Sequence, residues 1–231
     1  MVNWLNNGSE IRNIKDENGK QRSRTQNEKF YFKEGVTYSA SGSKGASFRI
    51  HPKNSLFDVG GSCIFPTNEF NNLKYLIALL NSKLAFYILE CLNPTVNTQV
   101  GDMQRIPFVK PEGRIEQEIS ELSENNINLK KYLNSYRIIE TNFEKNPLMA
   151  LTEPNLRDQL LSYLNYENAQ LTSAILNEAK INQLIFKVYN LKPEDRHQVE
   201  TKMGKPVGEM PILSMARDAY MLTNISINKT L

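Results

Sequence analysis

Five amide and guanidinium side chains are concentrated between residues 92 and 107: Asn93, Asn97, Gln99, Gln104 and Arg105. Amides pair with adenine through two atoms of its edge, and a guanidinium pairs with guanine in the same two-point manner. Pro94 and the Gly101-Asp102 pair interrupt the backbone near the two ends, as in a turn-rich loop. No strong nucleophile is present, so the pattern predicts a loop that recognises bases.

Basic residues are concentrated in the same half of the sequence. Residues 1–110 hold 14 Lys and Arg against 9 Asp and Glu, a net charge of +5, whereas residues 111–231 hold 14 against 16, a net charge of −2. Arg22 and Arg24 end a polar, basic segment that begins at Arg12. Clustered cations gain from counterion release on duplex DNA, so phosphate contact and a merely solvated loop are the two readings of this segment.

A second loop is predicted around Ser41-Gly42-Ser43-Lys44-Gly45. It lacks the opening glycine of a nucleotide-binding phosphate loop, so we expect a flexible loop that presents Ser43 and Lys44 to DNA. The flanking residues Thr37, Tyr38 and Arg49 complete the candidate DNA-binding set. The nearby aromatic residues are expected mainly in the core, with Phe32 and Tyr38 as the possible base-stacking exceptions.

The local patterns predict an α/β unit followed by helices. Residues 1–28 are polar and turn-rich and predict a surface loop or hairpin. Short strands are predicted at 30–38, 48–50, 55–59, 62–65 and 105–109. Apolar residues recur three and four apart over 71–91, which predicts one helix. From residue 112 onward the pattern predicts a long helix and then helices at about 155–164, 167–189, 193–203 and 211–220.

Several motifs resemble a known family when they are taken in their order along the chain. They are Phe30-Tyr31-Phe32-Lys33-Glu34-Gly35-Val36-Thr37-Tyr38-Ser39, Ser43-Lys44-Gly45, Phe48-Arg49, Leu80-Asn81-Ser82-Lys83-Leu84-Ala85, the loop from Leu92 to Pro107, and the later run Ile181 to Leu191 with Gly204-Lys205-Pro206. The sequence resembles the C-terminal target-recognition part of adenine-specific DNA methyltransferases, above all the BREX phage-defence methyltransferase PglX and related type IIG restriction-modification enzymes. The resemblance is densest from about Trp4 to Pro107.

The resemblance implies an α/β (α+β) target-recognition domain with a short twisted sheet over residues 1–110 and a mostly α-helical domain over 111–231. It implies double-stranded DNA as the partner, with Asn, Gln and Arg in the loops reading base edges. A catalytic methyltransferase domain would then act in cis or in trans, and other defence-system proteins are further possible partners.

Two motifs of the resembled enzymes are missing. Neither the Gly-rich S-adenosylmethionine loop nor the Asn-Pro-Pro-aromatic tetrad that holds the flipped adenine occurs in the sequence. Asn93-Pro94-Thr95-Val96 begins like the tetrad but has Thr95 and Val96 in place of the second proline and the aromatic. We therefore expect a fragment or a separately encoded module that is not an enzyme alone, with no catalytic residue, metal or cofactor. S-adenosylmethionine is expected only for a full-length methyltransferase.

The remaining features favour a cytoplasmic protein that does not enter a membrane. The sequence has no signal-like leader and no apolar run of about 18 residues. Cys63 and Cys91 are expected as reduced core residues. Two other functions stay open: the acidic helical half as an assembly surface for defence proteins, and a divergent nuclease, which rests only on Asp195 and Glu200-Thr201-Lys202.

The missing motifs generate the first testable expectation. Isothermal calorimetry of the chain with S-adenosylmethionine should detect no binding, and a methyl-transfer assay on duplex DNA should detect no product. Micromolar cofactor binding would contradict the assignment of the chain to the recognition part alone.

Overall fold

The computed structural model describes residues 3–42, 45–58 and 60–211. Its strands are β1 Gly35–Tyr38, β2 Phe48–His51 and β3 Cys63–Ile64. Its helices are α1 Leu5–Arg12, α2 Leu73–Leu80, α3 Lys83–Leu92, α4 Val100–Gln104, α5 Gly113–Ser135, α6 Leu156–Val188 and α7 Pro193–Met203. Short 3-10 turns lie at Glu28–Phe30, Pro147–Ala150 and Val207–Glu209. The expected mixture of a small sheet and many helices is confirmed.

The three strands form an antiparallel sheet in the order β2-β1-β3. The central strand β1 is buried, and its Val36 side chain has no exposed surface. Gly35 is required at the start of β1, because a Cβ atom there would lie 2.6 Å from the carbonyl oxygen of Ile64. The strands predicted at 48–50 and 62–65 are confirmed by β2 and β3.

Residues 14–22 of the N-terminal segment form a hairpin, as predicted, whereas residues 5–12, expected in the same loop or hairpin, form α1. Lys15 and Gln21 make an antiparallel bridge, and the Asp16 carboxylate accepts the backbone N–H of Lys20 at 2.8 Å within the turn. The ring of Trp4 packs edge-on against Tyr31, with 5.1 Å between ring centroids. The predicted strand at 30–38 starts only at residue 35, because Phe32 has a positive φ of 61° that extended strands do not adopt.

The helix predicted over 71–91 is broken into α2 and α3, which are bent by 61° relative to each other. Ser82 is extended and caps α3, since its hydroxyl accepts the backbone N–H of Ala85 at 3.2 Å. Asn81 turns its side chain to β2. Its Oδ1 accepts the backbone N–H of Phe48 at 3.1 Å, and its Nδ2 donates to the carbonyl oxygen of Phe48 at 2.9 Å. Helix periodicity alone did not reveal this long-range pairing.

Two predicted strands do not form. Residues 55–58 are irregular, and Phe57 places its ring against those of Tyr31 and Phe65. Residues 105–109 are also irregular. Two backbone carbonyls of this segment accept hydrogen bonds from tyrosine hydroxyls and not from a neighbouring strand. Tyr189 donates to the carbonyl of Pro107 at 2.6 Å, and Tyr75 donates to the carbonyl of Val109 at 2.9 Å. Burial raises the pKa of Tyr75, so its hydroxyl keeps the proton that it donates.

The long helix after residue 112 is confirmed by α5, and the helix at 193–203 is confirmed by α7. The two helices predicted at 155–164 and 167–189 are one continuous helix, α6, of 33 residues. No Gly or Pro interrupts the sequence of α6, so the backbone has no reason to stop in the middle. The helix predicted at 211–220 lies outside the described residues, apart from its first residue.

One apolar core joins the two predicted domains. Tyr75, Leu79 and Leu84 pack in the same buried cluster as Ile119 of α5 and Ile185 of α6. The Asn72 side chain adds polar contacts by donating to Glu116 at 2.7 Å and to Ser120 at 2.9 Å. The helical half is therefore packed directly on α2. The division of the chain at residue 110 stays a prediction.

Both cysteines are unbridged, but only Cys63 is partly buried. The expectation that Cys91 lies in the core is wrong, because it is exposed on the outer face of α3. Among the described helices, no single one combines the length and the apolar composition of a membrane span; α2 and α3 do so only when they are taken together across their bend.

The contact between Asn81 and Phe48 gives a stability prediction. Asn81→Ala leaves the buried Phe48 backbone without its partners, so we expect a loss of about 1–3 kcal/mol. For a chain of this size each kcal/mol lowers Tm by roughly 2–4 °C. Asn125→Ala, at an exposed position of α5, is the matched control. Thermal melts of the two variants with equal Tm values would contradict this role of Asn81.

Candidate nucleic-acid interface

Two loops that are far apart in sequence lie side by side beyond the end of β1. Residues 39–42 and residues 93–99, here called the paired loops, are joined by an antiparallel bridge between Ser41 and Asn97. The backbone N–H of Gly42 donates to Val96 at 3.0 Å, and that of Thr98 donates to Ala40 at 2.8 Å. Both loops that were predicted to recognise DNA therefore contribute to one surface.

Asn93 and Asp102 fix the conformation of loop 93–99. The Nδ2 of Asn93 donates to the carbonyl oxygen of Asn97 at 2.9 Å and to the Asp102 carboxylate at 2.7 Å. Asp102 also accepts the backbone N–H of Gln99 at 2.9 Å, which fixes the start of α4. The hydrogen bond from Asn93, followed by that from Gln99, lowers the pKa of Asp102. Asn93 is thus a structural residue of the loop.

Asn97 and Gln99 are exposed on loop 93–99, and Arg105 is exposed at the C-terminal end of α4. The side-chain amide of Asn97 makes no hydrogen bond to any residue that the structure describes. Arg105 forms no ion pair with a described residue, although its charge adds a weaker contribution to the lowered pKa of Asp102. The polar groups of Asn97 and Arg105 are therefore open to solvent, which is the state that contact with bases or phosphates requires. Gln99 differs, because it is the N-cap of α4 and forms a capping box with Asp102.

Arg49 connects the paired loops to the sheet. It is exposed on β2, and its Nη2 donates to the Ser39 hydroxyl at 2.8 Å. Ser39 begins the first of the paired loops. The guanidinium is consequently held beside them, and its remaining N–H groups are not used by other described residues.

Thr37 and Tyr38 have structural contacts instead. Tyr38 is 1% exposed, and its ring packs against Phe48 in the core. The Thr37 hydroxyl donates to the carbonyl oxygen of Ser62 at 3.1 Å across the sheet. Stacking on a base would require Tyr38 to leave the core, so we correct its expected exposure: Thr37 and Tyr38 support the sheet beneath the loops.

Two other predicted residues, Arg22 and Arg24, do not join this surface. Arg22 and Arg24 are exposed on the N-terminal segment. That segment packs through Trp4 and Tyr31 near the Gly35 end of β1, whereas the paired loops lie beyond its Tyr38 end. Ser43 and Lys44 lie outside the described residues. The candidate set is thus divided between the two ends of the sheet.

A cavity of about 610 Å³ opens beside Arg49, between β2 and helices α2, α3, α5 and α6. Its apolar floor comes mainly from side chains that also pack in or against the core: Ile50, Ile77, Phe86, Ile127 and Ile181. Within the described part of the chain, four cationic side chains line it: Arg49, Lys83, Lys130 and Lys131. Sequence reasoning missed the last two because the helical half is acidic on average.

Among the residues that the structure describes, Glu178 is the one carboxylate that lines this cavity. It is exposed to solvent over part of its surface, yet the protein packed around it raises its pKa. Lys130 and Lys83 oppose this increase through their charges. The side of the cavity that carries Lys130 and Lys131 is here called the cationic wall. The sequence of α5 does indicate it, because the carboxylates of this helix lie between residues 116 and 124 and its two adjacent lysines follow at 130 and 131.

No groups of three or more His, Cys, Asp or Glu that could hold a metal ion occur within residues 3–42, 45–58 and 60–211. Asp195, Glu200 and Lys202 lie on α7, as expected. Arg196 pairs with Glu200 at 2.6 Å, which gives this carboxylate a structural partner.

Known proteins match most of the chain. No protein-family model matches it. It is 28% identical over 203 residues to the adenine-specific methyltransferase BrxX of Escherichia coli O9:H4 (strain HS), and 28% identical over 209 residues to the adenine-specific methyltransferase PglX of Lacticaseibacillus casei (strain Zhang). Each match covers 87% of this chain but only 16% and 17% of the relatives' own lengths. The resemblance predicted from the motifs is confirmed.

The bonds of Asp102 generate a prediction about loop stability. Asp102→Ala removes a carboxylate that accepts two hydrogen bonds at the surface, so we expect a loss of about 1 kcal/mol after allowance for solvent. Because folding lowers the pKa of Asp102, its contribution is complete above the ordinary pKa of an aspartate and disappears as the pH falls through the lowered value. The Tm difference from wild type should therefore shrink at acidic pH. A difference that is constant from pH 7 to pH 3 would exclude this ionic contribution.

Proposed function

We propose that this chain is a sequence-specific recognition module for double-stranded DNA, which serves the catalytic domain of an adenine-specific methyltransferase in a phage-defence or restriction system. Its similarity to BrxX and PglX supports the association with methyltransferases. The observation that carries the DNA-binding role is the surface of the paired loops. This role places the chain in the cytoplasm, with its DNA.

The paired loops, together with the end of α4, combine the two requirements of base recognition. Asn97 and Arg105 carry free polar groups of the types that form two-point contacts with adenine and guanine. The hydrogen bonds of Asn93 and Asp102 hold the backbone beneath them in one conformation before DNA arrives. A preorganised loop loses less conformational entropy on binding, which favours both affinity and discrimination.

Basic residues outside the paired loops position the protein on the DNA. Arg49 stands beside the loops, and the exposed Arg22 and Arg24 lie on the N-terminal segment, toward the other end of the sheet. Such side chains contact phosphates and fix the register of a protein on the duplex without reading its sequence. Base flipping, S-adenosylmethionine binding and methyl transfer are left to the catalytic domain, in cis or in trans.

A second candidate function is assembly with other proteins, and one surface favours it. The connection between α5 and α6, together with the start of α6, exposes large apolar side chains, here called the apolar tip: Ile138, Ile139, Met149, Leu156 and Leu160. Ile138 and Ile139 are 81% and 83% exposed. Concentrated exposed apolar surface is typical of protein interfaces. A catalytic domain or another defence protein is the expected partner.

The proposal is tested by selecting duplexes from a random pool with the wild-type chain and with variants. We expect wild type to enrich one sequence motif, with binding that weakens as salt rises. Asn97→Ala and Arg105→Ala should each relax one position of that motif, at a cost of about 1–3 kcal/mol of discrimination. Arg157→Ala, an exposed substitution on α6, is the matched control for Arg105 and should leave the motif intact.

Two other outcomes would change the conclusion. An unaltered motif with a lowered Tm in both variants would make the second loop structural and move the reading role to residues 39–49. If wild type binds no DNA at low salt, the assembly function is favoured instead. In that case replacing Ile138 and Ile139 with Ser should reduce association with a separately expressed methyltransferase domain.

A further inference from the structure

We infer that the cavity wall formed by α5 belongs to the DNA interface, with Lys130 and Lys131 contacting phosphates of the same duplex that the paired loops bind. The inference rests on the proposed function and extends it to the helical half of the chain. The average composition of the helical half does not predict DNA binding, because that half carries a net charge of −2.

The first argument is the lack of neutralising partners. Three other lysines on the helices have ion-pair partners: Lys74 with Glu124 at 2.5 Å, Lys180 with Glu118 at 3.6 Å, and Lys202 with Glu90 at 3.5 Å. Within the described residues, neither Lys130 nor Lys131 has an ion pair. Both are exposed. Cations that gather around a concave, partly apolar surface produce a focused positive potential, which attracts polyanions.

The second argument is continuity with the paired loops. Arg49 lines the cavity and also donates to Ser39, so the guanidinium belongs to both surfaces. Its neighbour Phe48 is fixed to Asn81 by two hydrogen bonds, and Asn81 lines the cavity as well. A duplex held by the loops thus has the cationic wall directly beside its point of contact.

The structural alternatives explain the two lysines less well. Lysine near a helix C-terminus stabilises the helix dipole, but this effect is confined to the last turn, and α5 has no basic residue there. Glu178 is near enough to interact with Lys130 through charge, yet no ion pair within 4.0 Å joins them. Lys83 differs, because its ammonium donates to the carbonyl oxygen of Met203 at 2.8 Å and so has a structural contact.

The test measures duplex binding by fluorescence anisotropy across a range of salt concentrations, with the full chain and its Lys130→Ala/Lys131→Ala variant. Each phosphate contact contributes about 0.9 to the slope of log affinity against log salt, so we expect the variant's slope to fall by about 0.9–1.8. Lys145→Ala/Lys192→Ala removes the same charge from exposed positions outside the cavity and should leave the slope unchanged. Circular dichroism melts verify that all three proteins fold.

The outcomes separate this inference from the proposed function. A wild-type chain that binds no DNA would reject both. Normal DNA binding with equal slopes in the two double variants would reject the inference alone. Calorimetry with ATP as a probe tests a free nucleotide as the occupant: saturable ATP binding that the lysine variant loses, with an unchanged DNA slope, would assign the cavity to a small anion and overturn the DNA contact.

Discussion

The hydrogen bonds between the Asn81 side chain and the Phe48 backbone are the contact on which the rest of the arrangement depends. β2 is an outer strand of the sheet, and an unpaired backbone at a buried position is costly. Asn81 supplies both a donor and an acceptor there, much as a neighbouring strand would. The same residue ends α2. One side chain therefore closes the sheet edge, bends the helix pair and places Arg49 at the junction of sheet and helices.

The bend made at Asn81 is reinforced by the helical half. Asn182, which is 6% exposed, accepts the backbone N–H of Lys83 at 2.7 Å and donates to the carbonyl oxygen of Glu178 at 2.8 Å. The start of α3 is thereby attached to α6, while α2 packs on α5 through the core. Polar groups buried at this junction are satisfied on both sides, so sheet, loops and cavity wall keep a defined geometry relative to one another.

The sequence was informative where local physics decides the structure. Apolar periodicity predicted α5, the breaks at residues 190–193 and 204–206 bounded α7, and short runs between turn signals predicted β2 and β3. It failed where long-range contacts decide: Asn81 breaks a continuous apolar helix pattern by bonding to a residue 33 positions away, and tyrosine hydroxyls replace a strand partner at residues 105–109. The pairing of Ser41 with Asn97 could not be read from local pattern, although both loops were selected by their chemistry. Tyr38 was misjudged because an aromatic ring beside a loop looks the same in sequence whether it faces solvent or the core.

The length of α6 and the position of the apolar tip determine how close together two large partners would lie on the molecule. Glu178 borders the cavity, and Leu156 begins the helix 22 residues earlier. At about 1.5 Å per residue Leu156 stands roughly 33 Å from Glu178. Ile138, by contrast, follows Asn134, which lines the cavity, by four residues and so lies within about 14 Å of it. The apolar tip therefore begins close to the cavity, and a protein that covers all of it would lie next to a duplex held against Lys130 and Lys131.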